Sequence, residues 1–160
     1  MTPLEWAVVP LRRYADFSGR APRAEYWWFY LGTVVVQIPL NIADKMLGSW
    51  TPLSTLFSLA TLLPWIAVTV RRLHDTNRSG LWLLLFIGVF AVIGFMAVAI
   101  GISNYSGGTA SGFTALMIAI LLVLASFVTF LVFMVLPGTQ GANDYGPDPY
   151  GRNDLEEVFA

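Results

Sequence analysis

The chain has 160 residues, 56% of them hydrophobic and 12% charged, and a formal net charge of -1. Soluble domains average about 25% charged residues, so this composition excludes an ordinary soluble domain, and the near-zero net charge excludes a broad basic field for nucleic acid. The absence of cysteine excludes disulfides, thiolate catalysis and any cysteine-ligated metal.

Residues 1–25 read as a cytoplasmic interfacial segment. The opening "MTPLEWAVVPL" lacks the basic n-region of a signal peptide, and Pro10 breaks its apolar run. Trp6, Val8, Val9, Leu11, Tyr14 and Phe17 supply apolar contact, and Arg12 and Arg13 can meet lipid phosphates, so the segment is expected on the membrane surface. Four stretches follow that satisfy the roughly 20 apolar residues a bilayer crossing needs. They are 26–43, 52–70, 81–102 and 113–136, and none contains Asp, Glu, Lys, Arg or His. The expected fold class is therefore all-α: a polytopic membrane protein whose transmembrane domain covers 26–136. Pro39 and Pro64 are expected to kink the first two spans or to open a gap in their backbone hydrogen bonding. Ala97 with Gly101, and Ala115 with Ala119, form small-xxx-small pairs that let helices approach closely. Gln37 and Asn41 lie one turn apart and either line a polar pocket or cross-bond neighbouring helices. The segment 137–160 has Gly and Pro at nearly every turn up to Gly151 and is expected to be a loop folded against the cytoplasmic face, with an acidic tail. Leu155, Val158 and Phe159 in that tail suit a short docking helix.

Orientation follows from the cations. Eight of the nine Lys and Arg residues fall before the first span, between spans two and three, or after span four, leaving Lys45 alone on the other side. Positive residues stay in the cytoplasm, which puts both termini inside. Trp27, Trp28 and Trp82 then sit at the inner interface and Trp50 at the outer one.

Three polar pieces gather on the cytoplasmic side: "FSGRAPRAEYWWF", "RRLHDTNRSGLWLLL" and "PGTQGANDYGPDP". In the first, Gly19 permits a turn, Pro22 suits a helix start, and Glu25 lies near the positive end of that helix. In the second, Arg71 and Asp75 are four apart and can pair if the helix continues. These three motifs, in this order and spacing over about residues 10–150, resemble the bacterial inner-membrane family called domain of unknown function 805. The resemblance implies a four-span inner (cytoplasmic) membrane protein and carries no established activity, substrate or cofactor. Gly19, Arg20, Arg23, Glu25, Tyr26 and Trp27 match its first motif. Arg72, Leu73, His74, Asp75 and Gly80 match its second, and Gly138, Gly141, Asn143, Tyr145 and Gly146 its third.

Function is less legible than topology. His74 and Asp75 resemble half of a metal phosphohydrolase site, but the chain has a single histidine. No G-x-S-x-G accompanies them. A His–Asp general base is chemically allowed, with Asp75 raising the His74 pKa. The favoured reading makes both residues part of an ion-pair network that joins the three polar pieces. Proton-coupled transport is disfavoured because no span carries an ionisable group, and no P-loop supports ATP-driven work. A small oligomeric channel for uncharged solutes is the alternative. The reading carried forward is a non-enzymatic module with no cofactor and no metal. It binds the lipid bilayer, anionic head groups, membrane-protein partners or a second copy, and no nucleic acid. Its expected polar network or anionic-ligand site comprises Arg20, Arg23, Glu25, Arg71, Arg72, His74, Asp75, Asn143 and Tyr145, with Arg78 at its edge.

Overall fold

The computed structural model describes residues 1–48, 52–105 and 111–151. Over these the protein is all-helical: α1 (Pro3–Arg12), α2 (Arg23–Leu47), α3 (Leu53–Asp75), α4 (Leu81–Tyr105) and α5 (Ser111–Val135). Among the described residues the β-structure amounts to an isolated bridge between Asn143 and Gly146. Trp50 and the tail from Arg152, with Leu155, Val158 and Phe159, lie outside the described residues, as do the side chains of Ala97, Gly101 and Ala115. Among the described residues two helical stretches are long and apolar enough to cross a membrane, α3 with mean hydropathy 1.8 and Met117–Val135 of α5 with mean hydropathy 3.0. The chain divides into two compact units, Met1–Gly80 together with the segment from Pro137, and Leu81–Leu136.

In the first unit, α1 opens with a capping box. Thr2 accepts from the Glu5 N–H at 3.3 Å, and Glu5 accepts from the Thr2 N–H at 2.8 Å. Pro10 does not break this segment: it is buried inside the helix, which runs on to Arg12. Packing of α1 on both α2 and α3 outweighs the hydrogen bond the proline removes. A Cβ built at Gly32 of α2 would stand 3.6 Å from the Ala7 Cβ, so the two backbones meet closely there. Helix α2 begins at Arg23, three residues before the apolar run. Its far end holds Asp44, whose carboxylate accepts from the N–H groups of Leu53 (3.0 Å) and Ser54 (2.9 Å) and from the Ser54 hydroxyl (2.6 Å). Asp44 thus caps the next helix from outside it, satisfying donors that the first turn of α3 leaves unpaired.

Helix α3 contains Pro64, and the helix continues through it. A proline at 64 has no N–H to give the carbonyl of Ala60 four residues earlier. The Tyr14 hydroxyl donates to that carbonyl at 2.7 Å instead. The backbone gap expected at Pro64 is thereby filled by a side chain from the segment after α1. At the other expected polar position, Gln37 Nε2 donates across to the Ser54 carbonyl at 3.3 Å and Asn41 Nδ2 donates to the Gln37 carbonyl at 2.9 Å. A groove of about 350 Å³ lies beside Gln37, between α2 and α3. In the second unit, α4 and α5 pair through aromatic rings. Trp82 meets Phe133 edge-on at 5.3 Å, and Phe86 meets Phe130 edge-on at 5.2 Å.

Candidate functional site

The site grows from the end of α3. The helix does not stop with its apolar stretch at Val70 but continues to Asp75, which buries Arg71, Arg72, Leu73 and Asp75. Its close is a Schellman arrangement. Asn77 adopts φ 56, a left-handed conformation that asparagine tolerates. The N–H of Arg78 bonds to the Leu73 carbonyl (3.0 Å) and the N–H of Asn77 to the His74 carbonyl (3.0 Å). Further donors to the carbonyls of the last turns come from elsewhere in the chain. Ala21 N–H donates to the Arg71 carbonyl (3.0 Å), Asn143 Nδ2 to the His74 carbonyl (2.9 Å), and Thr139 N–H to the Asp75 carbonyl (2.9 Å). A helix end buried without such partners would be costly, and this one draws them from both other polar pieces.

Charge completes the junction. Gly19 takes φ 77, a turn that directs Arg20 inward. Arg20 Nε and Nη2 each reach Asp75 Oδ1 at 3.0 Å, while Nη1 donates to the Gly141 carbonyl at 2.6 Å and Nη2 to the Thr139 carbonyl at 2.5 Å. Arg72 Nη1 donates to Asp75 Oδ2. The Asp75 carboxylate is therefore clamped between two arginines, all three groups being buried. The loop passes so close that a Cβ at Gly138 would collide with that carboxylate. Asn143 also donates to Thr139 Oγ1 at 2.8 Å and accepts from the Tyr145 N–H at 2.9 Å, which holds the loop in a turn. Tyr145 then stacks its ring on His74, centroids 3.9 Å apart and planes 7° from parallel.

A second ion pair lies apart from the first. Arg71 Nη2 is 2.8 Å from Glu25 Oε1, with side-chain exposures of 0% and 4%. That contact lacks hydrogen-bond alignment: Glu25 Oε1 and all three Arg71 guanidinium nitrogens are buried without a hydrogen bond among the described residues. Burial pushes the Glu25 carboxyl above its usual range, against the opposing pull of Arg71. At the rim, Asp16 accepts from Arg13 Nη2 at 2.6 Å and from the Ser18 N–H at 2.9 Å. The Ser18 backbone bond, then Arg13, holds Asp16 below its usual value.

Most of the expected network residues are thus brought together, in partnerships the spacing did not indicate. Arg71 and Asp75 do not pair, although the helix does continue. Arg71 turns to Glu25, and Asp75 takes Arg20 and its own i–3 neighbour Arg72. The alternative, a His74–Asp75 general base, does not form. Both Asp75 oxygens are taken by arginines. His74 Nδ1 faces the Gly19 carbonyl at 3.2 Å, and since a carbonyl only accepts, Nδ1 carries the proton. Nor is the His74 pKa raised as it would be in that pair. Burial pulls it below its ordinary value, the Gly19 bond offsetting part of this, and Asp75 makes no contribution. Of the five arginines weighed for an anionic-ligand site, Arg20, Arg71 and Arg72 are buried against carboxylates, Arg23 is exposed and Arg78 is half-buried. Among the described residues no three of His, Asp and Glu form a group able to hold a metal ion. Sequence reasoning missed Thr139, the close approach at Gly138, the reach of Tyr14 and the cap from Asp44. Only Tyr14 had a usable signal, the carbonyl that Pro64 necessarily leaves unpaired.

Comparison with known proteins gives a consistent result. The family model described as "Protein of unknown function (DUF805)" matches residues 14–147. The chain is 38% identical to the inner membrane protein YhaI of Escherichia coli K12 over 152 residues, covering 94% of this chain and 100% of YhaI. It is 34% identical to the inner membrane protein YhaH of the same strain, covering 91% of this chain and 97% of YhaH. It is also 34% identical to the uncharacterized protein YiiR over 136 residues, 83% of this chain and 85% of YiiR. No solved structure matches the chain.

Proposed function

Because the chain belongs to the DUF805 family and is, like its relatives YhaI and YhaH, an inner membrane protein, we propose that it is a four-span binding module with both termini in the cytoplasm that engages anionic lipid head groups. The observation that carries this reading is the fate of Asp75. Its carboxylate is spent on Arg20 and Arg72, so the conspicuous charged motifs form internal architecture and not a reactive centre. The surface around that architecture carries exposed cations and aromatics. Arg12 and Arg23 are exposed, as are Tyr14, Phe17 and Trp28. Arginines at the cytoplasmic ends of membrane helices attract anionic lipids, each worth about 1 kcal/mol near a charged leaflet. Aromatic neighbours with one apolar and one polar end suit the same depth.

The test is native mass spectrometry of the full chain released from its own membranes, wild type beside Arg12→Ala/Arg23→Ala. Both positions are exposed, and the melting temperature of each chain in detergent, measured alongside, reports whether the fold survives. Retained phospholipid of anionic head group, depleted in the double variant, supports the reading. A chain that carries no lipid, or carries it equally in both forms, overturns it and turns attention to protein partners.

A further inference from the structure

We propose that α1 is not laid on the membrane surface but inserted, in plane, among the acyl chains of the leaflet on the side of the charged motifs, its partner being the hydrocarbon of the bilayer itself. This rests on the topology above only for the name of that leaflet. The depth comes from where α1 and the residues after it touch α2 and α3. Ala7 meets α2 at Gly32 and the Tyr14 hydroxyl meets α3 at Ala60. Along a helix rising 1.5 Å per residue, Gly32 lies about 9 Å inside the start of the first apolar stretch at Tyr26, and Ala60 lies about 15 Å inside the end of the second at Val70. A helix lying on the surface buries its apolar face only about 5–10 Å. Both contacts lie within the hydrocarbon, and the one at Ala60 lies below that depth.

The chemistry of α1 agrees with that depth. Its inner face packs on α2 and α3. Its outer face presents Leu4, Val8 and Leu11, spaced i, i+4, i+7, at 80%, 40% and 45% exposure. Glu5 and Arg12, both exposed and seven residues apart, form a narrow polar edge beside this stripe that can face the head groups. The last turn of α1 carries Arg12, and Arg13 follows, bonded to Asp16. Long arginine stems can run from a shallow apolar position to the head groups. The Tyr14 bond is also what hydrocarbon demands. With no water to satisfy the Ala60 carbonyl that Pro64 leaves open, a protein hydroxyl supplies the bond.

The absence of native cysteine makes the test direct. Single cysteines at Leu4, Val8 and Leu11, and a control at Ser18, would be spin-labelled in the full chain. The chain would be reconstituted in vesicles of phosphatidylethanolamine and phosphatidylglycerol. Collision with oxygen, which concentrates in hydrocarbon, is compared with collision with a polar nickel chelate, which is excluded from it. Insertion predicts an oxygen-to-nickel ratio several-fold higher at Leu4, Val8 and Leu11 than at Ser18. Ratios equal to that of Ser18 would mean a face in water. Labels shielded from both reagents would mean a face covered by protein. Either result overturns the proposal. Adding the chelate to one side of the vesicle only reports where Ser18 lies, so a failed orientation changes the Ser18 signal and leaves the α1 ratios unaltered.

Discussion

Two buried ion pairs, built from the same residue types, are held very differently. Arg20 and Asp75 make several aligned hydrogen bonds, whereas Arg71 and Glu25 share a charge contact with no aligned bond. Desolvation of a buried pair is repaid only by good geometry and further hydrogen bonds. Glu25→Leu or Arg71→Met alone strands one charge and is expected to cost on the order of 3–5 kcal/mol. The combined variant Glu25→Leu/Arg71→Met is expected to recover most of that loss. Thermal unfolding in detergent of the two single variants and the double would read this directly. A double variant as unstable as the sum of the singles would mean that the pair is worth more than its geometry indicates. His74 gives a pH-dependent counterpart. Its folded pKa lies below 6.5 because of burial, so the unfolded chain takes up the proton more readily. Stability contributed by neutral His74 is therefore present above 6.5 and lost as pH falls from there through the folded pKa. Glu25 has the opposite sign, since acid relieves its buried charge as pH falls through its raised pKa. The difference between two chains isolates the histidine. On going from pH 7.5 to 5.5, wild type is expected to lose more melting temperature than His74→Asn. The amide can still donate to the Gly19 carbonyl, and equal losses would assign the pH response to other groups.

At the scale of elements, backbone groups decide more than charges. Proline 64 would ordinarily weaken a membrane helix, yet α3 runs through it because Tyr14 reaches the orphaned carbonyl. Tyr14→Phe is expected to destabilise the fold by about 1 kcal/mol, the usual net worth of such a bond. In a Pro64→Ala background the backbone N–H returns and Tyr14→Phe should cost much less. A double-mutant cycle on unfolding free energies measures the coupling, and independence of the two sites would refute the assignment. The loop on the end of α3 depends similarly on a missing atom. Gly138→Ala forces a methyl into the Asp75 carboxylate and is expected to cost about 1–3 kcal/mol by overpacking. Hydrogen exchange at the Thr139 and Asn143 amides should rise in that variant if the loop lifts from the helix. What the sequence makes legible follows from the same physics. Apolar length announces helices, and Gly and Pro announce the loop. That Arg71 would turn to Glu25 instead of Asp75 is invisible in spacing, because spacing puts only Asp75 within helical reach, and Glu25 comes within reach only through the packing of α2 on α3. The Schellman close at Asn77 and the cap from Asp44 were hidden for a similar reason. The first needs the left-handed conformation of one residue, and the second needs a partner nine residues upstream on another helix.

At the scale of the whole molecule, the apolar helices and the uneven placement of cations are the two facts that relate the chain to a bilayer. Eight of nine Lys and Arg residues flank the sides proposed as cytoplasmic, and such a bias orients short-looped membrane proteins. Burial of Arg20, Arg71 and Arg72 does not weaken this argument, because orientation is set while the chain inserts, before those residues find Asp75 and Glu25. The proposed four spans require a strict alternation of sides. A cysteine at Ser18 should be protected in intact cells from an impermeant maleimide that has crossed the outer membrane. One at Met46, 82% exposed at the far end of α2, should be labelled. Ser79, between α3 and α4, should be protected again, and Gly108, between α4 and α5, labelled. Each adjacent pair tests one helix: labelling of both Ser79 and Gly108 would mean that α4 does not cross, and protection of both Ser18 and Met46 the same for α2. A full reversal of the pattern would keep the crossings of α2, α3 and α4 and overturn the orientation. That outcome would place Arg12 and Arg23 on the periplasmic side, and with them the surface proposed to meet anionic head groups.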